Sequence, residues 1–126
     1  MNFALFLEMH ARSAPDALAL TDPRLRLSWA EFDTAANRFA NAMRDAGLVP
    51  GDRVGLYMMN RVEVAVALMG AMKAGLVPCP FNRRLQGPDL ERVVAHAAPR
   101  CIITETSSAE ALSALAPLLL TCDDTS

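Results

Sequence analysis

The sequence predicts an α/β fold: a three-layer, mostly parallel sheet flanked by helices, preceded by an N-terminal β-hairpin. Two observations point there. From about residue 47 onward, short apolar runs alternate with helical patterns over short connections, the sequence form of right-handed β-α-β crossovers. One of those runs, Arg53 to Met58, is continuously apolar after its first residue, as expected of a strand covered on both faces.

The elements follow in order. Phe3, Phe6, Leu7 and His10 recur at helical spacing, so Asn2 to Arg12 reads as an amphipathic helix that ends before Pro15. "ALALTDPRLRLS" holds two short runs around Asp22-Pro23, a turn-starting pair, and predicts a hairpin. Ser28 with Glu31 three residues later forms a capping box, so a helix opens at Trp29. Its apolar face is Phe32, Ala35, Ala36, Phe39, Ala40 and Met43, and Gly47 ends it in the left-handed conformation that glycine tolerates best.

After the strand at 53–58, Asn60 and Glu63 repeat the capping logic for a helix from Arg61 to Ala74. That helix is apolar almost all round and should be the most buried. Gly75 stops it. "LVPCPF" is the next strand, and Pro78 and Pro80, which cannot donate ladder hydrogen bonds, imply an edge or irregular strand. Pro88 starts a helix over Asp89 to Ala98, "CIITE" is a further strand, "SSAEALSALA" a short helix, and "PLLL" a last strand.

The 126 residues suit one core, and a composition that is half hydrophobic and one fifth charged is that of a folding chain. A formal net charge of −2 provides no long-range field for a polyanion, so nucleic acid is not an expected partner. Cys79, Cys101 and Cys122 are odd in number and lack C-x-x-C spacing, and His10 and His96 stand apart from them. Neither a disulfide framework nor a metal site is therefore expected, and the setting expected is reducing and cytoplasmic. The N-terminus lacks the basic region of a signal peptide, and the apolar stretch from Val62 to Met72 is too short for a transmembrane segment.

Chemistry is sparse. The glycines form no G-x-G-x-x-G, and Gly70 to Gly75, though spaced like a phosphate loop, is followed by Leu76 instead of lysine. No G-x-S-x-G elbow exists; Cys79 reads as a small buried side chain, His96 as a surface or packing histidine, and Asp123 and Asp124 as a solvated tail. That leaves Asn82, Arg83 and Arg84. They stand just past the end of a strand, where α/β sheets collect ligands, and two arginines there could clamp a phosphate. The alternative is that one pairs with Asp89 or Glu91 while the other is solvated.

In this order the segments resemble the N-terminal part of the adenylate-forming ligases, the superfamily of acyl-CoA synthetases, luciferases and peptide-synthetase adenylation domains. The resemblance rests on "LSWAEFDTAANRFANAMRDAGL", "PGDRVGLYMMN", "AVALMGAMKAG" and "VPCPFNRRL". It implies a partial domain: residues 1–126 as the N-terminal segment of the large AMP-binding domain, with the phosphate loop and the C-terminal lid absent. It also implies that ATP, Mg²⁺ and coenzyme A serve the full-length enzyme, acting on a small-molecule carboxylic acid, and that no catalytic residue lies in this segment. Such synthetases end this strand on Asn-Pro-Arg-Leu, whose arginine can bind phosphate groups of coenzyme A. Here the pattern is Asn82-Arg83-Arg84-Leu85, so the resemblance points to Arg84 as the coenzyme A contact and Arg83 as the alternate. Asn82 is read as an Asx-type turn.

Two other readings stand beside it. One is a stand-alone, non-catalytic interaction module covered by a partner subunit, since a split sheet leaves an edge and apolar faces exposed. The other, a flavodoxin-like nucleotide binder, lacks a phosphate-cradling loop after any strand.

Overall fold

A computed structural model of the chain describes residues 3–122. Asp123 and Asp124 lie outside the described residues. Two compact units divide the chain: Met1–Pro50 with Asn60–Leu76, and Gly51–Met59 with Val77–Ser126.

The first unit is helical and carries the hairpin. It contains α1 (Ala4–Ser13), β1 (Leu18–Thr21), β2 (Arg26–Ser28), α2 (Trp29–Asp45) and α3 (Val62–Lys73). The predicted apolar stripe on α1 is corrected in detail. Leu7 is buried, but Phe3 and Phe6 are 65% and 47% exposed, and Ala4 is the residue that joins Leu7 inside. The helix docks through the small Ala4 and the Leu7 one turn on, while His10 lays its ring 4.5 Å from that of Trp29.

β1 and β2 pair antiparallel around the predicted Asp22-Pro23 turn. Asp22 Oδ1 accepts the backbone N–H groups of Arg24 (2.8 Å) and Leu25 (2.9 Å), an Asx arrangement that closes it. The capping box at α2 is complete: Glu31 N–H donates to Ser28 Oγ at 3.1 Å, and Ser28 N–H donates to Glu31 Oε1 at 2.8 Å. Phe32, Ala36, Ala40 and Met43 are buried on the predicted face, and Gly47 takes a φ of +95° past the helix end.

At α3 the expected cap is wrong. Asn60 does not cap the helix; Arg61 holds the N-cap position without a side-chain cap bond. The orphan N–H of Val62 donates instead to Asp22 Oδ2, 2.9 Å away and 40 residues earlier in the chain. One carboxylate thus closes the hairpin turn and caps a helix. These N–H groups, that of Val62 foremost and then that of Arg24, hold the Asp22 carboxyl below the usual range. The expected burial is found: no residue of α3 is exposed. Close packing requires Gly70, where an added Cβ would lie 2.6 Å from Phe39 Cδ1 and 2.9 Å from the Ala36 carbonyl oxygen.

The second unit is the sheet, with β3 (Arg53–Tyr57), β4 (Val77–Pro80), α4 (Gly87–Ala97), β5 (Cys101–Glu105), a 3-10 turn (Thr106–Ser108), α5 (Ala109–Leu112) and β6 (Leu118–Cys122). The strand order is β4-β3-β5-β6, every pair parallel. β4 is an edge strand, as its prolines predict. β3 is buried from Val54 onward and β5 throughout, as interior parallel strands should be. The helix expected over "SSAEALSALA" shrinks to the 3-10 turn and a single α-turn; the run of Thr106, Ser107 and Ser108 consists of weak helix formers that nucleate a helix poorly. Tyr57, Phe81, Leu90, Val94, Ile102 and Leu112 form one core cluster of this unit. Gly55 makes room for it: a Cβ there would stand 2.4 Å from the Phe81 ring.

Candidate functional site

The carboxyl ends of β3, β4 and β5 lie side by side, since Leu56 pairs with Pro80 and Tyr57 with Thr104. Each contributes a polar group where the apolar run stops. β4 leads through the buried Phe81 into Asn82, whose Oδ1 accepts the Arg84 N–H at 2.9 Å while its carbonyl accepts the Leu85 N–H at 3.0 Å. The Asx-type turn predicted for Asn82 is present.

The fold separates the two arginines. Arg83 turns back over the sheet ends: its Nε lies 3.4 Å from Glu105 Oε1, its Nη2 donates to Ser108 Oγ at 3.0 Å, and its guanidinium carbon sits 4.8 Å from the centre of the Tyr57 ring. Arg84 is exposed, and its guanidinium has no partner among the described residues. The predicted alternative, an arginine paired with Asp89 or Glu91, is not the arrangement found. Arg83 takes Glu105, and Asp89 pairs with Arg92 at 3.4 Å.

Two members of this cluster escaped the sequence reading. Glu105 is 2% exposed, and its Oε2 accepts the Met59 N–H at 2.7 Å. Tyr57, also buried, directs its hydroxyl at the carbonyl oxygens of Leu85 and, at 3.2 Å, of Arg83. Thr104 Oγ1 donates to the Tyr57 carbonyl at 2.6 Å. The available signal was a carboxylate closing the β-branched run "CIITE" at a strand end. Its burial becomes visible only once β3 and β4 are placed beside β5.

The other candidates among the described residues are two cysteines and a histidine. Cys101 is buried, and burial pushes its thiol up to about 11, far from a reactive thiolate. Cys79 is half-buried with its thiol 3.6 Å from the Val77 carbonyl, and His96 is exposed. No group of three His, Cys, Asp or Glu among the described residues could hold a metal ion. In the helical unit a groove of about 520 Å³ is lined by Glu8, Asn41, Arg44 and Lys73, but its cations are already engaged. Lys73 pairs with Asp33 at 2.7 Å and Glu8 at 3.0 Å, while Arg44 donates to Asn41 and to the Lys73 carbonyl.

The strand-end ledge therefore presents one unpaired cation to solvent on a turn held from beneath. Such a guanidinium can form charge-assisted hydrogen bonds with a phosphate.

Comparison with known proteins places this geometry in a family. The model of the AMP-binding enzyme family matches residues 7–125. The long-chain-fatty-acid–CoA ligase FadD13 of Mycobacterium tuberculosis is 31% identical over 116 residues, which cover 90% of this chain and 23% of that protein. Among solved structures, the N-terminal domain of FACL13 from Mycobacterium tuberculosis superposes with a TM-score of 0.89 at 27% identity, covering 97% of this chain and 34% of that one. A benzoate CoA ligase from Burkholderia xenovorans LB400 gives 0.89 at 28% identity, covering 98% and 26%. The chain spans about a quarter of the length of the curated relatives it matches. It belongs to the AMP-binding enzyme family, as an N-terminal part of the acyl-CoA synthetase type.

Proposed function

We propose that this chain is the N-terminal segment of the large AMP-binding domain of an ATP-dependent acyl-CoA synthetase. In the complete enzyme a carboxylic acid attacks the α-phosphate of ATP to give an acyl-adenylate and pyrophosphate, and the thiol of coenzyme A then displaces AMP. ATP and Mg²⁺ supply the leaving group and the charge compensation for that chemistry, and both are held by residues outside this segment. The segment's own contribution is scaffold: a parallel sheet edge and a capped helical unit.

One contact with a ligand is assigned to it. Arg84, exposed on the Asn82 turn, meets a phosphate group of coenzyme A at the rim; Arg83, spent on Glu105 and Ser108, does not. The acid is a fatty acid on this reading, in keeping with the ligases named among the curated relatives. A cytoplasmic setting accords with the fact that no described helix is long and apolar enough to cross a membrane.

The observation that carries the proposal is the family match over residues 7–125 on a fold shared with acyl-CoA ligase N-terminal domains. ATP–pyrophosphate exchange by the isolated chain, across fatty and aryl acids, tests it. No acid-dependent exchange is expected, and turnover would overturn the assignment of the chemistry to other residues.

One feature favours a second reading, a stand-alone module bound to a partner subunit. Among the described residues β6 lies at the end of the sheet, and its sequence, Leu118–Cys122, contains neither the proline nor the charge that would block pairing with a further strand. Sedimentation of the isolated chain as a folded monomer would speak against it.

A further inference from the structure

Glu105 stands out in the sheet unit because a carboxylate is expensive to bury and an apolar residue of similar volume would hold the sheet as well. What it provides instead is geometry. It lies at the end of β5, one position beyond the Thr104–Tyr57 pair, and its two oxygens reach different strand exits. Oε2 accepts the Met59 N–H just past β3, and Oε1 takes Arg83 just past β4.

Arg83 is fixed on its other sides by Ser108 Oγ and by the Tyr57 ring, whose hydroxyl donates its one proton to the Leu85 carbonyl, with the Arg83 carbonyl 3.2 Å away. The segment Asn82–Leu85 is thus gripped at residues 83 and 85, and the residue between them projects outward. The same carboxylate offsets the charge of Arg83, so an approaching anion meets one uncompensated guanidinium and not two competing ones.

We propose that Glu105 is a positioning residue: through Arg83 and the Met59 amide it locks the β4 exit in the conformation that presents Arg84 to a phosphate-bearing ligand. The proposal rests on the assignment of Arg84 as the coenzyme A contact. It adds that this contact depends on a buried carboxylate 21 residues away in sequence that never touches the ligand.

Backbone ¹⁵N relaxation and a coenzyme A titration of the same samples test it, using wild type, Glu105→Gln, Arg83→Gln and Arg84→Ala. In Glu105→Gln the order parameters of the Arg84 and Leu85 amides should fall from about 0.85 towards 0.6, while Ile102 within the ladder stays near about 0.85. Coenzyme A affinity should drop about tenfold, as for loss of a charge-assisted hydrogen bond. Arg83→Gln opens the clamp from its more exposed side and should reproduce both effects if the buried variant folds poorly. Arg84→Ala should abolish the titration with order parameters unchanged.

A merely structural role for Glu105 would lower the melting temperature without mobilising residues 82–85. Unchanged order parameters there in both clamp variants would overturn the proposal. If wild type and Arg84→Ala respond alike to coenzyme A, the Arg84 assignment fails, and the relaxation data still decide whether Glu105 sets the turn.

Discussion

The two units spend their charged side chains differently. In the helical unit every buried or half-buried charge described above is turned inward. Lys73 joins α3 to Asp33 of α2 and Glu8 of α1, and Asp22 with Arg24 fastens the hairpin to the start of α3 and to Glu63. In the sheet unit the charges gather at the carboxyl ends of parallel strands, and the inward pair of Arg83 and Glu105 leaves Arg84 outside. One arrangement closes a scaffold; the other leaves a guanidinium facing solvent, where the proposed contact would form. Charge at a strand end thus has a different meaning from charge along a helix flank.

The largest expected effect on stability comes from packing. Gly70→Val should cost the helical unit about 3 kcal/mol or more, because its side chain collides with Phe39 and with the Ala36 backbone. Chemical denaturation should show that loss while a folded sheet unit keeps its affinity for coenzyme A. Equal loss of both would mean that the scaffold and the contact are not separable.

Glu105→Ala comes next, at about 2–3 kcal/mol, since it strips the Met59 amide and a partly exposed Arg83 of their partner. Lys73→Met should cost less, about 2 kcal/mol, because the Asp33 and Glu8 side chains are only partly buried, although Asp33 Oδ1, the oxygen that meets Lys73, is itself shielded from water. Burial alone would lower the Lys73 pKa, but the hydrogen bonds to Asp33 and Glu8 outweigh it and raise it. A raised folded-state pKa gives stability that is present below the ordinary lysine value of 10.5 and is lost as pH rises beyond it. Wild type should therefore weaken in strong alkali more than Lys73→Met does, as melting curves against pH would show.

Asp22 carries the opposite sign. Its depressed pKa gives stability that is present above the ordinary value of 3.8 and is lost as pH falls through the lower folded-state value. Asp22→Asn should flatten the acid limb of the melting profile, and an unchanged limb would remove Asp22 from the account. The smallest effect on stability belongs to Arg84→Ala, within about 0.5 kcal/mol for an exposed residue with no partner among those described. Its effect on coenzyme A binding should be the largest of the set, and that inversion is the sharpest form of the contrast.

Much of the fold was legible because local rules decided it. The Ser28–Glu31 capping box, the glycine at 47 and the prolines of β4 act within a few residues of themselves, and each did what its chemistry requires. Apart from the shortened helix after β5, the failures were non-local. Asn60 satisfied a capping pattern, but the hairpin brought Asp22 to the same amide, and distance along the chain concealed it. The stripe on α1 was apolar without all being core, because docking through Ala4 leaves the larger Phe3 and Phe6 outside.

The site divides in the same way. Position past a strand end marked Asn82, Arg83 and Arg84, but which arginine turns inward depended on Glu105, whose partners come from two other strands. A buried carboxylate cannot be told from an exposed one until its neighbours are known.

As proposed, this segment serves a longer synthetase and lends it scaffold and one rim contact. The intact mass of the native gene product tests it most directly. A mass several times the 13.6 kDa of these 126 residues is predicted, in proportion to relatives of which the chain covers 23% or less; a native product that ends at Ser126 would contradict it.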